Sequence, residues 1–357
     1  MWVEWLRGRK SSSSVSFACF FSNFLLIILI GSCSPYRYIS IETCNPASIT
    51  FPADMRRILV VNNALPQDDV PFESTIHQLP ASVTISADSA AFDFCRTLGE
   101  TLADFPGFDD VRLLEGCLRK DMSPLSAPNL EPHDVELLND EHETDIVISL
   151  DRLLFRINEY AYNIFSFQMQ EVIDVDISGV LRVYAPGREA PVTSVLLADT
   201  VSVADHKVGD IWELLLSTGQ TNLLRVSATY LAREARTHFI PYWSEDIRWY
   251  YVSFAARWKE ATAYAESEKW DKALDIWKQL YERATSWKQK ARLSSNLALG
   301  AELTGNLEQA LQYAKLSHQL MHDHLGADDA ITKKQEVYVN VLTSRIAEEQ
   351  KLRLQHN

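Results

Sequence analysis

From Arg56 to Asn63 the chain reads RRILVVNN, an apolar, β-branched run that ends at a polar loop carrying Pro66, Asp68 and Asp69. A short run without alternation predicts a strand buried on both faces. The period then changes. Between Ser86 and Phe105, Ala91, Phe94, Cys95, Leu98 and Leu102 recur at helical spacing, which predicts a helix with one apolar stripe. Ser86 is placed to cap it, Asp88 complements its positive end, and Pro106-Gly107 stops it. Asp110–Gly116 reads as a second strand, Glu131–Asn139 as a short helix and Asp145–Leu153 as a third strand. This strand-helix-strand-helix-strand order predicts a sheet covered by helices.

Further on, Glu171–Tyr184 and Val192–Val203 flank APGREAP. Val175, Ile177, Gly179, Leu181 and Val183 alternate with Asp174, Asp176, Ser178, Val180, Arg182 and Tyr184. That pattern predicts a long antiparallel hairpin with one mostly wet face. Leu153–Met169, before it, predicts another strand. From Asp210 onward the pattern is helical. Leu224, Ala228, Leu231 and Ala235 share one helix face. Pro241 is expected to end that helix, and Ser244 to cap a following one in which Trp249 and Tyr250 bury.

The last hundred residues repeat. Residues within Glu260–Leu280 match residues within Asn296–Leu316, pairing Ala261 with Ala298, Ala273 with Ala310 and Trp277 with Ala314, each pair 37 residues apart. Small Ala261, Ala298, Ala273 and Ala310, a Gly305-Asn306 turn, and aromatic Tyr264 and Trp277 make this segment resemble the tetratricopeptide repeat. That resemblance implies helix pairs whose face forms a groove for a protein partner. The offset exceeds the repeat's usual length, which predicts a longer helix or turn around Ala284–Lys288. Two units cannot bury a continuous core alone. Helices before Trp258 and after Ile331, the latter with Tyr338, Leu342 and Ile346 spaced by four, are expected to cap them.

The N-terminus adds a location. Val15–Gly31 is apolar but holds Ser16, Ser22 and Asn23, and its strictly apolar part is Phe24–Ile30. A membrane span needs about 20 apolar residues, whereas a secretory signal needs a basic start, about 7–15 apolar residues and small residues at the cut. Arg7, Arg9 and Lys10, then Gly31 and Ser32, meet the second description. Ile30-Gly31-Ser32-Cys33 resembles the lipobox of bacterial lipoproteins, which implies acylation of Cys33 and anchoring through its chains. The expected organisation is a signal peptide over 1–32, an extended tether over 33–55, a mixed α/β domain over 56–207, and an all-α domain over 208–357 with repeats over 258–325. The fold class is α+β.

Charge narrows the partners. The chain carries 34 basic and 48 acidic residues; removing residues 1–32 takes away three basic residues and Glu4, leaving 31 against 47, a net −16. That disfavours nucleic acid. Cys95 and Cys117 are open to two readings, a disulfide or free thiols.

Candidate chemistry is sparse. His318 and His322 lie four apart beside Asp323 and His324, a spacing that permits joint metal coordination, but without a third ligand they read as a polar helix end. Asp174 and Asp176 share a strand face and could do acid–base work; an outward hairpin face explains them too. LSTGQ at Leu216–Gln220 lacks the lysine and spacing of a phosphate loop. Trp243, Trp249, Trp258, Trp270, Trp277 and Trp287 could stack on sugar, yet their helical spacing points to packing. No catalytic residue, metal or cofactor is therefore assigned.

Together the Ile30–Cys33 box, ILVVNN, the LRVYAPG hairpin and IPYWSEDIRWYY resemble a family of Bacteroidota lipoproteins with a mixed N-terminal domain and terminal tetratricopeptide units. The strand-helix order with its hairpin also looks like the small α/β domain of periplasmic assembly lipoproteins of the curli-secretion and TolB type. The expectation is a non-enzymatic interaction or assembly protein of the cell envelope, held by acylated Cys33 in the outer membrane. Arg37 and aromatic Tyr36 and Tyr38, with no acid before Glu42, favour the periplasmic face. The alternative is an envelope enzyme or glycan binder using a cleft in the N-terminal domain.

Overall fold

The computed structural model describes residues 35–75, 87, 89–119, 123–165, 168–205 and 220–355. Cys33 and the signal segment, Ser86, Asp88 and Leu216–Gly219 lie outside them. The fold is α+β, in two compact units. One comprises Cys44–Ser244 with Glu348–Asn357, the other the chain up to Thr43 with Glu245–Ala347.

The sheet unit is built on β2 (Arg57–Asn62), which lies between β4 (Asp110–Cys117) and β5 (Ile146–Phe165) and runs parallel to both. Its apolar run serves both faces. Ile58 and Val60 pack into the larger core with α1 (Ala90–Ala103), while Leu59 and Val61 pack with α2 (Pro132–His142). A strand covered on both sides has no use for alternation. β5 begins parallel to β2, continues past its end, and takes β3 (Phe72–Ser74) along its second half. It then pairs antiparallel with β6 (Gln168–Tyr184), which pairs with β7 (Thr193–Asp205) in the expected hairpin.

Asp145 joins the starts of β2 and β5. Asp145 accepts from the backbone N–H groups of Arg56 (3.1 Å) and Arg57 (2.8 Å), and from the Arg57 guanidinium at 2.6 Å. Those bonds from Arg57 hold the Asp145 carboxyl below its usual range. α3 (Gln220–Ala235) buries Leu224, Ala228, Leu231 and Ala235 in the same core as α1. The helical face read from the sequence is present, but it packs in the sheet unit, not with the helices that follow.

The helical unit contains two departures from expectation. Residues Tyr36–Asn45, inside the expected tether, form strand β1, and Tyr242–Tyr251, expected as a helix capped by Ser244, form strand β8. The two strands pair. In β8, burial alternates from Tyr242 through Arg248, with Trp243, Glu245 and Ile247 outermost. That two-residue period and the aromatic content suit a half-buried strand better than a helix. Next come α4 (Ala256–Glu266), α5 (Trp270–Arg283), α6 (Trp287–Leu303), α7 (Leu307–Leu325) and α8 (Ala330–Gln355). Ala261, Ala273, Ala298 and Ala310 are all fully buried, as close helix crossings require. α6 has 17 residues against 11 in α4, so a longer helix accounts for the 37-residue offset. Tyr338 and Leu342 of α8 close the second pair against Ala298, Ala301, Ala310 and Ala314, with Ile346 packed beside them.

The two inter-helix turns differ in one respect. Gly305, between α6 and α7, has φ +81°, and Glu268, 37 residues earlier between α4 and α5, has φ +57°. The left-handed region costs a residue with a side chain about 1–2 kcal/mol. Glu268→Gly is therefore expected to stabilise the helical unit by about 0.5–1 kcal/mol. Ala310→Trp should lower its stability by about 1–3 kcal/mol or more through overpacking, and the exposed Lys269→Ala should change little. Urea titrations followed by tryptophan fluorescence check all three; a lower midpoint for Glu268→Gly would contradict the turn argument.

Candidate functional site

In a parallel sheet the carboxyl ends of the strands are where side chains converge. Here that position is occupied by Asp151. β2 ends at Asn62, and the β5–β6 register slips between Leu150 and Arg152, so Asp151 is the extra residue of a bulge. A bulge re-aims a side chain. The Asp151 side chain is completely buried and gathers donors from three elements. Ser149 donates to Oδ1 at 2.5 Å and Asn63 to the same oxygen at 3.0 Å. Arg182 donates to Oδ2 at 2.5 Å and Tyr184 at 3.3 Å. Arg182 also donates to the Ala127 carbonyl at 2.9 Å, and the Tyr184 hydroxyl accepts from the Leu130 N–H at 3.1 Å. Burial raises the Tyr184 hydroxyl to about 12. A carboxylate has about four acceptor positions. Four donors use them, so Asp151 acts as a charged clamp between β2, β5 and β6.

Sequence reasoning missed this centre. It read Arg182 and Tyr184 as part of a wet hairpin face, yet Tyr184 is buried beside Leu59, Val61 and Val135. The available signals were the polar Asn62-Asn63 pair at the end of an apolar run and the lone Asp151 after VISL. The wet face does exist farther along. Asp174 accepts from Tyr160 (2.9 Å) and Ser202 (2.6 Å), and Asp176 from Asn158 (2.9 Å) and Thr200 (2.8 Å). The two carboxylates thus form rungs across β5, β6 and β7. Asp176 and Thr200 also border an open depression of about 620 Å³.

The sheet unit has a second concavity, about 200 Å³, whose walls include Phe51, Phe105, Phe108 and Phe239. Phe51 stacks on Phe239 at 6.4 Å and meets Phe108 edge-on at 5.8 Å. At its rim Arg56 pairs with Asp109 at 3.1 Å.

The helical unit has its own buried carboxylate. Glu302 of α6 accepts from Arg248 Nε at 3.1 and 3.2 Å, from the Tyr338 hydroxyl at 2.7 Å, and from Arg345. Burial, with Glu302 alongside, pushes the Tyr338 hydroxyl well up. Asn296 accepts the Tyr251 N–H at 2.6 Å and donates to the Tyr251 carbonyl at 2.8 Å. β8 thus lies on α6 and α8. Beside it the Lys334 ammonium sits over the rings of Tyr36 (4.1 Å), Trp249 (4.2 Å) and Tyr38 (4.9 Å). Burial lowers its pKa.

The histidines do not assemble a metal site. The His318 and His322 rings are 6.0 Å apart, but His324 stacks on Trp287 at 4.3 Å and its ring meets the Leu320 carbonyl. Among the described residues no group of three or more His, Cys, Asp or Glu side chains could hold a metal ion. Cys95 and Cys117 are free thiols, placed against the carbonyls of Val61 and Ala64. Trp258 and Trp277 are core residues, whereas Trp243 is exposed. No helix among the described residues is long and apolar enough to cross a membrane.

Fold and site define a two-unit α+β protein in which the buried carboxylates of Asp151 and Glu302 are each engaged within their own unit. The chain belongs to the family described as Domain of unknown function (DUF8603), whose model matches residues 55–251, more than half of its length. A second model, Domain of unknown function (DUF6340), matches residues 259–344. No curated protein matches. Among solved structures, a minor lipoprotein from Acinetobacter baumannii is similar at 11% identity, over 52% of this chain and 96% of its own, with a TM-score of 0.23. A Helicobacter pylori homolog of a neuraminyllactose-binding hemagglutinin is similar at 10% identity, over 54% and 86%, with a TM-score of 0.27. A protein named as a lipoprotein from Caulobacter crescentus is similar at 12% identity, over 46% and 84%, with a TM-score of 0.19.

The Asp151 centre makes a testable demand. Arg182→Met leaves a buried carboxylate without its counter-ion and is expected to cost about 3–5 kcal/mol. Adding Asp151→Leu to that variant should recover much of the loss, because both charges are then gone. Denaturant titration of the two variants distinguishes them; a double variant less stable than the single one would contradict the clamp.

Proposed function

We propose that the chain is a membrane-anchored lipoprotein whose folded units serve as a non-enzymatic interaction or assembly module of the cell envelope. The observation that carries this reading is the Ile30-Gly31-Ser32-Cys33 box at the end of a short apolar segment behind Arg7, Arg9 and Lys10. Acylation of Cys33 supplies the anchor, since each buried methylene contributes about 0.8 kcal/mol and two chains hold stably. The membrane is the outer membrane, and the protein faces the periplasm. A cationic, aromatic start of the mature chain, with no acid before Glu42, suits that placement.

The non-enzymatic part is supported by chemistry within each unit. Asp151 and Glu302 are saturated by their own neighbours, and each oxygen of Asp174 and Asp176 accepts from a strand neighbour. A general base needs a lone pair within reach of the substrate proton. The aromatic cleft, at about 200 Å³, suits one or two apolar side chains of a protein partner better than a substrate that must be surrounded.

Cys33→Ser is expected to leave the protein unprocessed or to release it from the membrane fraction. Intact-mass measurement of the native protein is the check: a mature chain beginning at Cys33 without acyl mass would sink the anchor. Proteinase added to whole cells tests the orientation, and digestion while periplasmic controls survive would place the protein on the cell surface instead.

A further inference from the structure

The structure removes the slack from the expected tether. Pro35 accepts the Val252 N–H at 2.9 Å, so the chain joins the helical unit two residues after Cys33. Tyr36 then packs edge-on against Tyr251 at 6.1 Å and lies under Lys334, and Arg37 pairs with Glu266. An extended chain spans at most about 3.6 Å per residue. The Cα of Cys33 is therefore within about 7 Å of that of Pro35. A lipid on Cys33 leaves the bilayer almost no distance from this end of the β1–β8 pair.

What the helical unit presents there is apolar. Two residues beyond Val252, Phe254 is 76% exposed, and the next two residues, Ala255 and Ala256, are exposed as well. By chain geometry the Phe254 Cα lies within about 20 Å of Cys33, counting two residues on each side of the bonded Pro35–Val252 pair. The Lys259 ammonium stands over the Phe254 ring at 5.7 Å. An aromatic ring with a lysine above it is the chemistry of a membrane interface, where the ring enters the acyl boundary and the ammonium stays at the headgroups.

We infer that Phe254 and Ala255, with Ala256 at the start of α4, form a second membrane contact, seated in the interfacial layer of the phospholipid bilayer that holds acylated Cys33. This rests on the lipid anchor proposed above. The anchor supplies attachment; the loop fixes how the helical unit stands on the surface. Lys259 belongs to the contact as the headgroup partner, and Tyr36 and Lys334 hold β1 so that anchor and loop cannot drift apart.

The test uses the full-length acylated protein with photoreactive benzoylphenylalanine in place of Phe254, reconstituted in phosphatidylethanolamine–phosphatidylglycerol vesicles. Intact mass is measured before irradiation, and lipid adducts at position 254 after it. The expected result is a phospholipid adduct at least tenfold more abundant than in the Cys33→Ser form at the same lipid concentration. Absence of acyl mass would sink the anchor and this inference together. Confirmed acylation with no lipid adduct, or with adducts only to a second copy of the chain or to another protein, would overturn the loop contact and leave the anchor standing.

Discussion

The helical unit depends on one side chain that behaves like a strand. β8 lies on helices, and helices offer no ladder to an extended backbone, so its peptide groups need partners of another kind. Asn296 provides them, with its amide accepting the Tyr251 N–H and donating to the Tyr251 carbonyl while fully buried. The Trp258 indole donates to the same carbonyl at 2.9 Å. With Tyr251 fixed at one point and Arg248 tied to Glu302 at another, β8 becomes a firm edge on which β1 can form. An apolar residue at position 296 would leave the buried Tyr251 N–H unsatisfied and its carbonyl with the Trp258 indole alone.

Two of the buried carboxylates follow one plan. Asp151 in the sheet unit and Glu302 in the helical unit each take arginine and a tyrosine hydroxyl as donors. Each collects groups distant in sequence, Asp151 from Asn63 just past β2 and from β6, and Glu302 from β8 and α8. A lone buried charge is very costly, while a satisfied one is tolerated and penalises alternative packings. Such centres define arrangement more than they add stability.

Much of this was legible because the decisive signals were local. ILVVNN declares a strand covered on both faces, the Val175–Val183 alternation declares the hairpin, and Ala261, Ala273, Ala298 and Ala310 declare close helix crossings. What escaped depended on partners far along the chain. β1 read as a tether because Pro35, Pro46 and Pro52 mark its surroundings and nothing nearby offers an edge. YWSEDIRWYY read as a helix start because Pro241 and Ser244 imitate helix punctuation; only β1, and Asn296 on α6, make it a strand. α3 showed its buried face correctly, but nothing in that face says that it packs beside α1. The Asp151 centre was hidden most thoroughly, since a bulge exists only in the register between two strands. Cys33, on which the functional reading leans, lies outside the described residues.

The pairing of β1 with β8 also sets a timetable. Thr43 and its hydrogen-bonding partner Asp246 stand 203 residues apart in the chain. At a synthesis rate of about 5–20 residues per second, β1 waits roughly 10–40 seconds before the strand that completes it exists. Through that interval Tyr36–Asn45 has no β8 to pair with. Tyr36–Asn45 therefore spends that interval as an open chain, and its enclosure in the β1–β8 pair waits for a strand encoded beyond α3.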